Sequence, residues 1–408
     1  MSAFDYKRLN SEIREKARLR KEENQVFYDN NLSNLTSGEN ITERIYDEES
    51  LESDSGIFEF ELDEFKFAKF NNLIFGCDEA INESAFTKVN GICFYYCDFS
   101  FCGFSNIIFT NCSFVGCNFS ECYTLGFAAT FRECSFISRN LGETNIDDAP
   151  SMFKDCELSL KLIDTDISMS VFEKSHFYFS RFERVNMRDT IYLDSNFDTI
   201  KIIDCDMRNT KIMNPKFIEF YIEDSINRTK VNKGTFLDAI NFNKKEEREV
   251  RFSIEVYSQF SELFEMNKLM DLNGEYFFLY KKTEAINLKG ISKFKAFMGL
   301  ITCGYGERPS YSLLTALFLV LFYGTLYMFF GVNINNEVIT FRPSLQSLFP
   351  PLENLVVWYH FSLVTFSTTG YGNVVPVGGS LLVSAIEMIS GVVMVGIWVS
   401  TLVRKMVR

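Results

Sequence analysis

Several sets of residues in this 408-residue chain are of types that do chemistry. Its 11 cysteines include pairs such as Cys97 and Cys102, or Cys112 and Cys117, which by count alone could hold a metal or pass electrons. Zinc and redox pairs, however, space their thiols as CxxC. These thiols stand five apart, so the spacing belongs to a repeat and marks positions that need a small buried side chain. The two histidines, His176 and His360, have no carboxylate–nucleophile pattern around them and read as packing residues. No G-x-G-x-x-G follows a strand pattern, so neither a dinucleotide domain nor an organic cofactor nor an enzyme is expected. The triplet Gly-Tyr-Gly occurs twice, at Gly304 to Gly306 and inside TTGYGN at Thr368 to Asn373. Glycine there permits backbone angles that other residues rarely adopt, and only the flanks can separate the two copies. Finally, Glu387 stands alone in a long apolar run, where an ionisable group is costly and functional by default.

The chain is acidic, with net charge −13, which disfavours nucleic-acid binding through phosphates. Its 44 Phe against 2 Trp point to a rule that selects Phe. The opening MSAFDYKRLNSEIREKARLRKEEN is basic without an apolar core, so no signal peptide, a cytosolic first part and reduced thiols are expected. A charged segment, partly helical, is read over about 1–50.

The rule is a ladder. Phe94, Phe99, Phe104, Phe109, Phe114 and Phe119 recur every five residues, and Phe65, Phe70 and Phe75 precede them on the same spacing. Phe131, Phe136, Phe153, Leu158 and Ile163 follow, then an unbroken run from Phe172 to Ile222. Helices and strands have periods of 3.6 and 2.0, so neither accounts for five. Two residues before each rung a small residue recurs: Cys97, Cys102, Cys112, Ser175, Thr190, Cys205. A square coil accounts for both facts, each five-residue unit forming one side and residues twenty apart stacking at the ~4.8 Å strand spacing. The pattern resembles the pentapeptide-repeat family over about 58 to 223, which implies a right-handed quadrilateral β-helix within 51–240. Cysteine stands where that family often has Ala. Interruptions at 121–131 and 139–152 read as loops leaving the coil, where a partner could bind.

Over 241–309 the pattern turns helical. Phe252, Val256, Phe260, Leu263 and Phe264 give one apolar face, Asn273-Gly274 reads as a stop, and a second helix would complete a hairpin. ISKFKAFMGLI then suits a membrane surface. This connector is either a spacer or an element that couples the repeats to the membrane.

Within 310–408 two apolar runs are each long enough to cross a ~30 Å hydrocarbon core. They lie at about 311–333 and 379–404. Lys289, Lys293, Lys295 and Arg308 precede the first, and Arg404, Lys405 and Arg408 follow the second; between them Arg342 is the one Lys or Arg. The positive-inside rule puts both termini in the cytoplasm. The first Gly-Tyr-Gly then lies before the first span and reads as a tight turn. The second follows a short helical pattern at about 353–366, which Pro351 and Glu353 suit as a start.

Span, short helix, TTGYG and span in that order resemble the pore domain of potassium channels, a match that runs over Tyr359, Thr365, Thr368, the glycines and Pro376. The resemblance implies that the carbonyls of Thr368, Thr369, Gly370, Tyr371 and Gly372 replace the hydration shell of K⁺. It also implies a homotetramer, one chain supplying one wall, with Tyr371 packed behind the filter near Trp358 and Tyr359. Thr365, Asn373, Glu387 and Gly391 would support or gate the pore, Gly391 as an inner-helix hinge. The family often has Val or Ile where Thr369 stands, and Asp where Asn373 stands, so the outer mouth differs here. Glu387 is read either as bonded to hydroxyls such as Thr365 or Ser367, or as a charge facing the cavity.

No span carries an Arg at every third position, so no voltage sensor is expected. The expectation is therefore a multidomain membrane protein of the plasma membrane, prokaryotic in kind, passing K⁺ with no other metal. The repeats would serve assembly or regulation through an unknown cytoplasmic ligand or protein. The rival readings are a nonselective cation channel, or a membrane-anchored repeat scaffold.

Overall fold

A computed structural model describes residues 6–36, 45–47, 57–77, 79–137, 149–225, 228–341 and 350–407. The chain divides into two compact units, Ser2–Thr283 and Glu284–Arg408.

The first unit holds the coil. Short strands pair in parallel, Phe94 with Phe114, Phe99 with Phe119 and Phe172 with Tyr192, so residues twenty apart lie in register. One face stacks nine such strands. Inside it Phe70, Phe99, Phe119, Phe153, Phe172 and Tyr192 form one column, with successive ring centroids 4.8, 4.7, 4.5, 4.4 and 5.0 Å apart. Each stacked pair contributes about 0.5–1.5 kcal/mol beyond the area it buries. The corners are left-handed: every fifth residue from Lys174 through Asp194 to Asn214 has positive φ, glycine or not. Asn and Asp tolerate this region; Phe179 and Thr199, which share it, are costlier.

The small residues do more than fit. Cys102 Sγ lies 3.4 Å from the Phe70 carbonyl, Cys122 Sγ 3.4 Å from that of Phe99, and Cys156 Sγ 3.4 Å from that of Phe119. Thr210 donates to the Met187 carbonyl at 2.7 Å in the same way. A hydroxyl or thiol at this position satisfies a buried carbonyl of the coil beneath, which Ala could not do. Burial pushes the Cys205 thiol up to about 12, the opposite of a reactive thiol. Among the described residues no group of three or more metal-ligating side chains forms.

Two expectations need correction here. The rung after Leu158 is Leu162, paired with Phe131 and Phe182, while Ile163 points outward; that side of the square is one residue short. Residues 121–131 do not leave the coil: Tyr123–Leu125 and Ala129–Arg132 are rungs, and only the corner at Gly126 is widened. In the second interruption 139–148 lie outside the described residues, and Met152–Lys154 is again a rung.

Helix α1, Tyr6–Thr36, lies within the charged segment, and it docks along the coil. Ile13 and Ala17 are buried against Val171, Ile191, Leu193 and Met213. Arg14 makes a two-pronged contact with Asp194, both bonds 2.9 Å, and Arg20 donates to the carbonyls of Met169 and Asp189 at 2.8 and 2.6 Å. Helices α2, Glu247–Met266, and α3, Met270–Asn287, cap the far end of the coil rather than forming a free spacer. Phe260 stacks on Phe220, and the Tyr257 and Tyr276 hydroxyls accept from the backbone N–H groups of Ile240 and Leu237 at 2.9 Å. Such a cap covers a sheet end that would otherwise invite pairing. The chain breaks between the helices at Lys268, with φ 61, not at Asn273-Gly274. Asn273 sits inside α3 because its amide reaches back to the Ser261 carbonyl at 3.2 Å and to Glu265 at 3.0 Å.

The second unit contains α4, Gly290–Cys303; α5, Pro309–Phe330; α6, Leu352–Phe366; and α7, Ser380–Val407. Both α5 and α7 are long and apolar enough to cross a membrane, and 22% and 28% of their apolar windows are buried within the chain. A core helix would be covered far more completely. A small antiparallel sheet joins Val332–Ile334 to Glu337–Ile339 and to Val374–Pro376.

Candidate functional site

Helix α6 is apolar with Glu353 in its first turn, and it ends at Phe366. Beyond it the Thr368 and Thr369 N–H groups still bond back, to the carbonyls of Thr365 at 3.1 Å and Val364 at 3.0 Å. From there the backbone alternates. Thr368, Gly370 and Gly372 have φ 57, 57 and 80, while Thr369 and Tyr371 between them are not left-handed. Alternation of φ sign is the backbone pattern that can turn every second peptide over and bring successive carbonyls to one side, where an extended strand would alternate them. A Cβ on Gly370 or Gly372 would meet nothing within 4 Å, so glycine is required there for its φ and not for space. Thr368 is the surprise. A β-branched residue at φ 57 is strained, and such strain gathers at functional sites. Reading glycines alone misses it; its signal is its two-residue spacing from Gly370 and Gly372.

The earlier triplet is built differently. Gly304, Tyr305 and Gly306 have φ 54, 56 and 84, three left-handed residues in succession, and they curl into the short turn expected of them.

Support around Thr368 to Gly372 departs from expectation in its partners. Tyr371 stacks on His360, with centroids 6.2 Å apart and planes at 12°, not on Trp358 or Tyr359. Trp358 is fully buried with Tyr323, Tyr327, Val332 and Phe361. Tyr359 lies over Gly324, where a Cβ would fall 2.3 Å from its ring. The Ser367 and Thr369 hydroxyls lie 2.6 Å apart. Asn373 is exposed and runs straight into Val374–Pro376, whose pairing with Val332–Ile334 clamps the C-terminal end of the segment. That clamp was missed, although Asn335-Asn336, at φ 51 and 70, is the left-handed pair a tight hairpin requires.

Glu387 is fully buried. Tyr327 of α5 donates to its Oε2 at 2.5 Å, and the Ser362 hydroxyl of α6 lies 2.5 Å from its Oε1. One carboxyl therefore joins three helices. This is the bonded reading with different partners: Ser362 and Tyr327, neither Thr365 nor Ser367. The reading of a charge facing a cavity does not fit a side chain enclosed on all sides. Thr365 instead serves through its carbonyl, which receives Thr368. Gly391 is a point of close contact in this structure. Helix α7 runs unbroken through it, and a Cβ there would stand 2.0 Å from the Phe366 carbonyl oxygen.

At the other end of α7, Arg404 reaches Glu307 at 3.0 Å, just past the first triplet. The Glu307 side chain is 7% exposed and that of Arg404 44%, so the carboxylate is withdrawn from water while the guanidinium stays in contact with it. Gly306 leaves room for it, since a Cβ there would lie 3.0 Å from the Arg404 guanidinium.

A family model described as ion channel matches residues 348–408, and one described as pentapeptide repeats (8 copies) matches residues 92–123. No curated protein matches the chain. Among solved structures, trypsin-treated QnrB1, a plasmid-mediated fluoroquinolone resistance protein, is similar at 15% identity, covering 36% of this chain and 73% of its own, with TM-score 0.16. A pentapeptide repeat protein from the cyanobacterium Cyanothece 51142 is similar at 14% identity, covering 31% and 91%, with TM-score 0.11.

Proposed function

We propose that this chain, in which a C-terminal ion channel domain follows N-terminal pentapeptide repeats, forms a potassium-selective channel. The observation that carries the reading is the φ alternation from Thr368 to Gly372, held between the end of α6 and the strand Val374–Pro376. Carbonyls turned to one side can take the place of water around a dehydrated K⁺, with the Thr368 hydroxyl at the inner end. A single chain provides one wall, so four copies would surround the axis. Irregular backbone at membrane depth is tolerated where it lines such a pathway. Retention of Tyr371 in the motif favours K⁺ selectivity over a nonselective pore.

Basic residues before the first span and after the second, with Arg342 the one Lys or Arg between them, support cytoplasmic termini and a filter on the opposite side; a plasma membrane of prokaryotic kind is part of the same reading. The repeats would then lie in the cytoplasm, as regulator or assembly domain. Purified protein in liposomes is expected to pass K⁺ well above Na⁺, and Tyr371→Ala to abolish that preference. Equal K⁺ and Na⁺ flux would leave a nonselective cation channel. No flux from correctly inserted protein would leave the anchored-scaffold reading.

A further inference from the structure

Between the C-terminal half of α1 and the nine-strand face of the coil lies a half-open groove of about 590 Å³. Its floor is set by register. The rungs Lys69–Asn71, Asp98–Ser100, Asn118–Ser120 and Met152–Lys154 stack in that order, so Asn71, Ser100, Ser120 and Lys154 form one row. Four strands at ~4.8 Å make this row about 14 Å long. The parallel row is Lys69, Asp98, Asn118 and Met152, in which the Asn118 amide donates to Asp98 at 2.8 Å. The lid is one face of α1: Lys21, Asn24, Gln25 and Tyr28 at helical spacing.

This chemistry is unlike the rest of an acidic chain. Three lysines line the groove against one carboxylate, Asp98. The Lys21 and Lys154 end also carries hydroxyls at Ser100 and Ser120. Lys21 pairs with Glu173, the register neighbour of Lys154, and Lys154 reaches Asp155 at 3.8 Å, the outer limit of an ion pair. A phosphate entering here would compete with Glu173 for Lys21 and would meet Lys154, whose carboxylate contact, Asp155, is 3.8 Å away. The opposite end is lined by the Asn71 amide and by Tyr28, whose ring packs edge-on against Phe67 with centroids 5.4 Å apart. A volume of this size suits a small ligand and not an extended peptide.

We propose that the groove binds a nucleoside monophosphate, its phosphate at Lys21, Lys154 and Ser120 and its base towards Asn71 and Tyr28. The ligand bridges α1 and the coil, so binding fastens the helix to the repeats. The site stands whether or not the channel domain conducts K⁺.

Titration calorimetry on the full chain in lipid nanodiscs tests it, with AMP, GMP, CMP, UMP, inorganic phosphate and adenosine as probes. At least one nucleotide is expected to bind saturably, one per chain, about tenfold or more tighter than phosphate or the bare nucleoside, since both ends of the groove contribute. Lys154→Gln and Asn71→Ala, at opposite ends, should each weaken that binding by about tenfold. Lys216→Gln, outside the groove, should leave it unchanged. The melting temperature of each ligand-free variant checks its folding. The proposal is overturned if no mononucleotide saturates below about 1 mM, if phosphate alone binds as tightly, or if both groove variants bind as the parent does.

Discussion

Gly391 on α7 faces Phe366 at the end of α6 so closely that a Cβ would stand 2.0 Å from the Phe366 carbonyl oxygen. The atom it would strike is backbone, which cannot swing aside. Gly391→Ala is therefore expected to push the end of α6, and with it Thr368, out of place, at roughly the 1–3 kcal/mol that overpacking costs. K⁺ flux should fall sharply. Gly396→Ala, where a Cβ meets nothing within 4 Å, is the matched control and should conduct as the parent does. If the two variants behave alike, the contact is unimportant.

Glu387 joins α5 and α6 to α7 through Tyr327 and Ser362. Its removal takes a buried partner from both hydroxyls, so Glu387→Ala should destabilise the protein by about 1–3 kcal/mol. Loss of thermal stability in detergent is the readout. The enclosed carboxyl also predicts that Glu387→Gln leaves block by internal cations unchanged. Altered block would put the side chain on the ion pathway after all.

Arg404 and Glu307 tie the last turns of α7 to the turn before α5. Arg404→Glu sets two carboxylates against each other and should shift open probability in single-channel records. The swap Glu307→Arg with Arg404→Glu should recover much of the parental value, with a coupling of about 0.5–3 kcal/mol. Additive effects would mean that the pair does not couple these elements.

The Arg14 guanidinium, bonded to Asp194 with help from the Asn214 amide, holds the Asp194 carboxyl below the usual carboxylate range. A lowered carboxyl pKa stabilises the folded state fully above the unfolded value of about 3.9. That stability is lost as pH falls through the folded value. Protection of α1 amides from hydrogen exchange should thus hold from neutral pH to about 5 and decline below about 4. Asp194→Asn should lower protection already at neutral pH and flatten this acid step. Both side chains are part-exposed, so the effect is small, within about 1 kcal/mol.

Much of the architecture was legible beforehand where one local rule repeats. Period five from Phe94 to Phe119 could only be a coil, and α5, α6 and α7 lie within a few residues of their expected bounds. The rule failed where a single residue was dropped, making Leu162 the rung in place of Ile163. It also failed where a side chain outweighed propensity. Asn273-Gly274 looks like a stop, yet Asn273 stays helical because Ser261 and Glu265 on the facing helix hold its amide.

The sequence by itself determined the square coil, the two spans, and which Gly-Tyr-Gly stands between them, because periodicity, apolar length and charge placement are properties of neighbours along the chain. Tertiary structure alone decided that Glu387 meets Ser362 and Tyr327, that His360 backs Tyr371, that Gly391 is a contact, and that α1 roofs a groove. Partners distant in sequence are chosen by how helices and rungs pack, and that choice leaves no period to read.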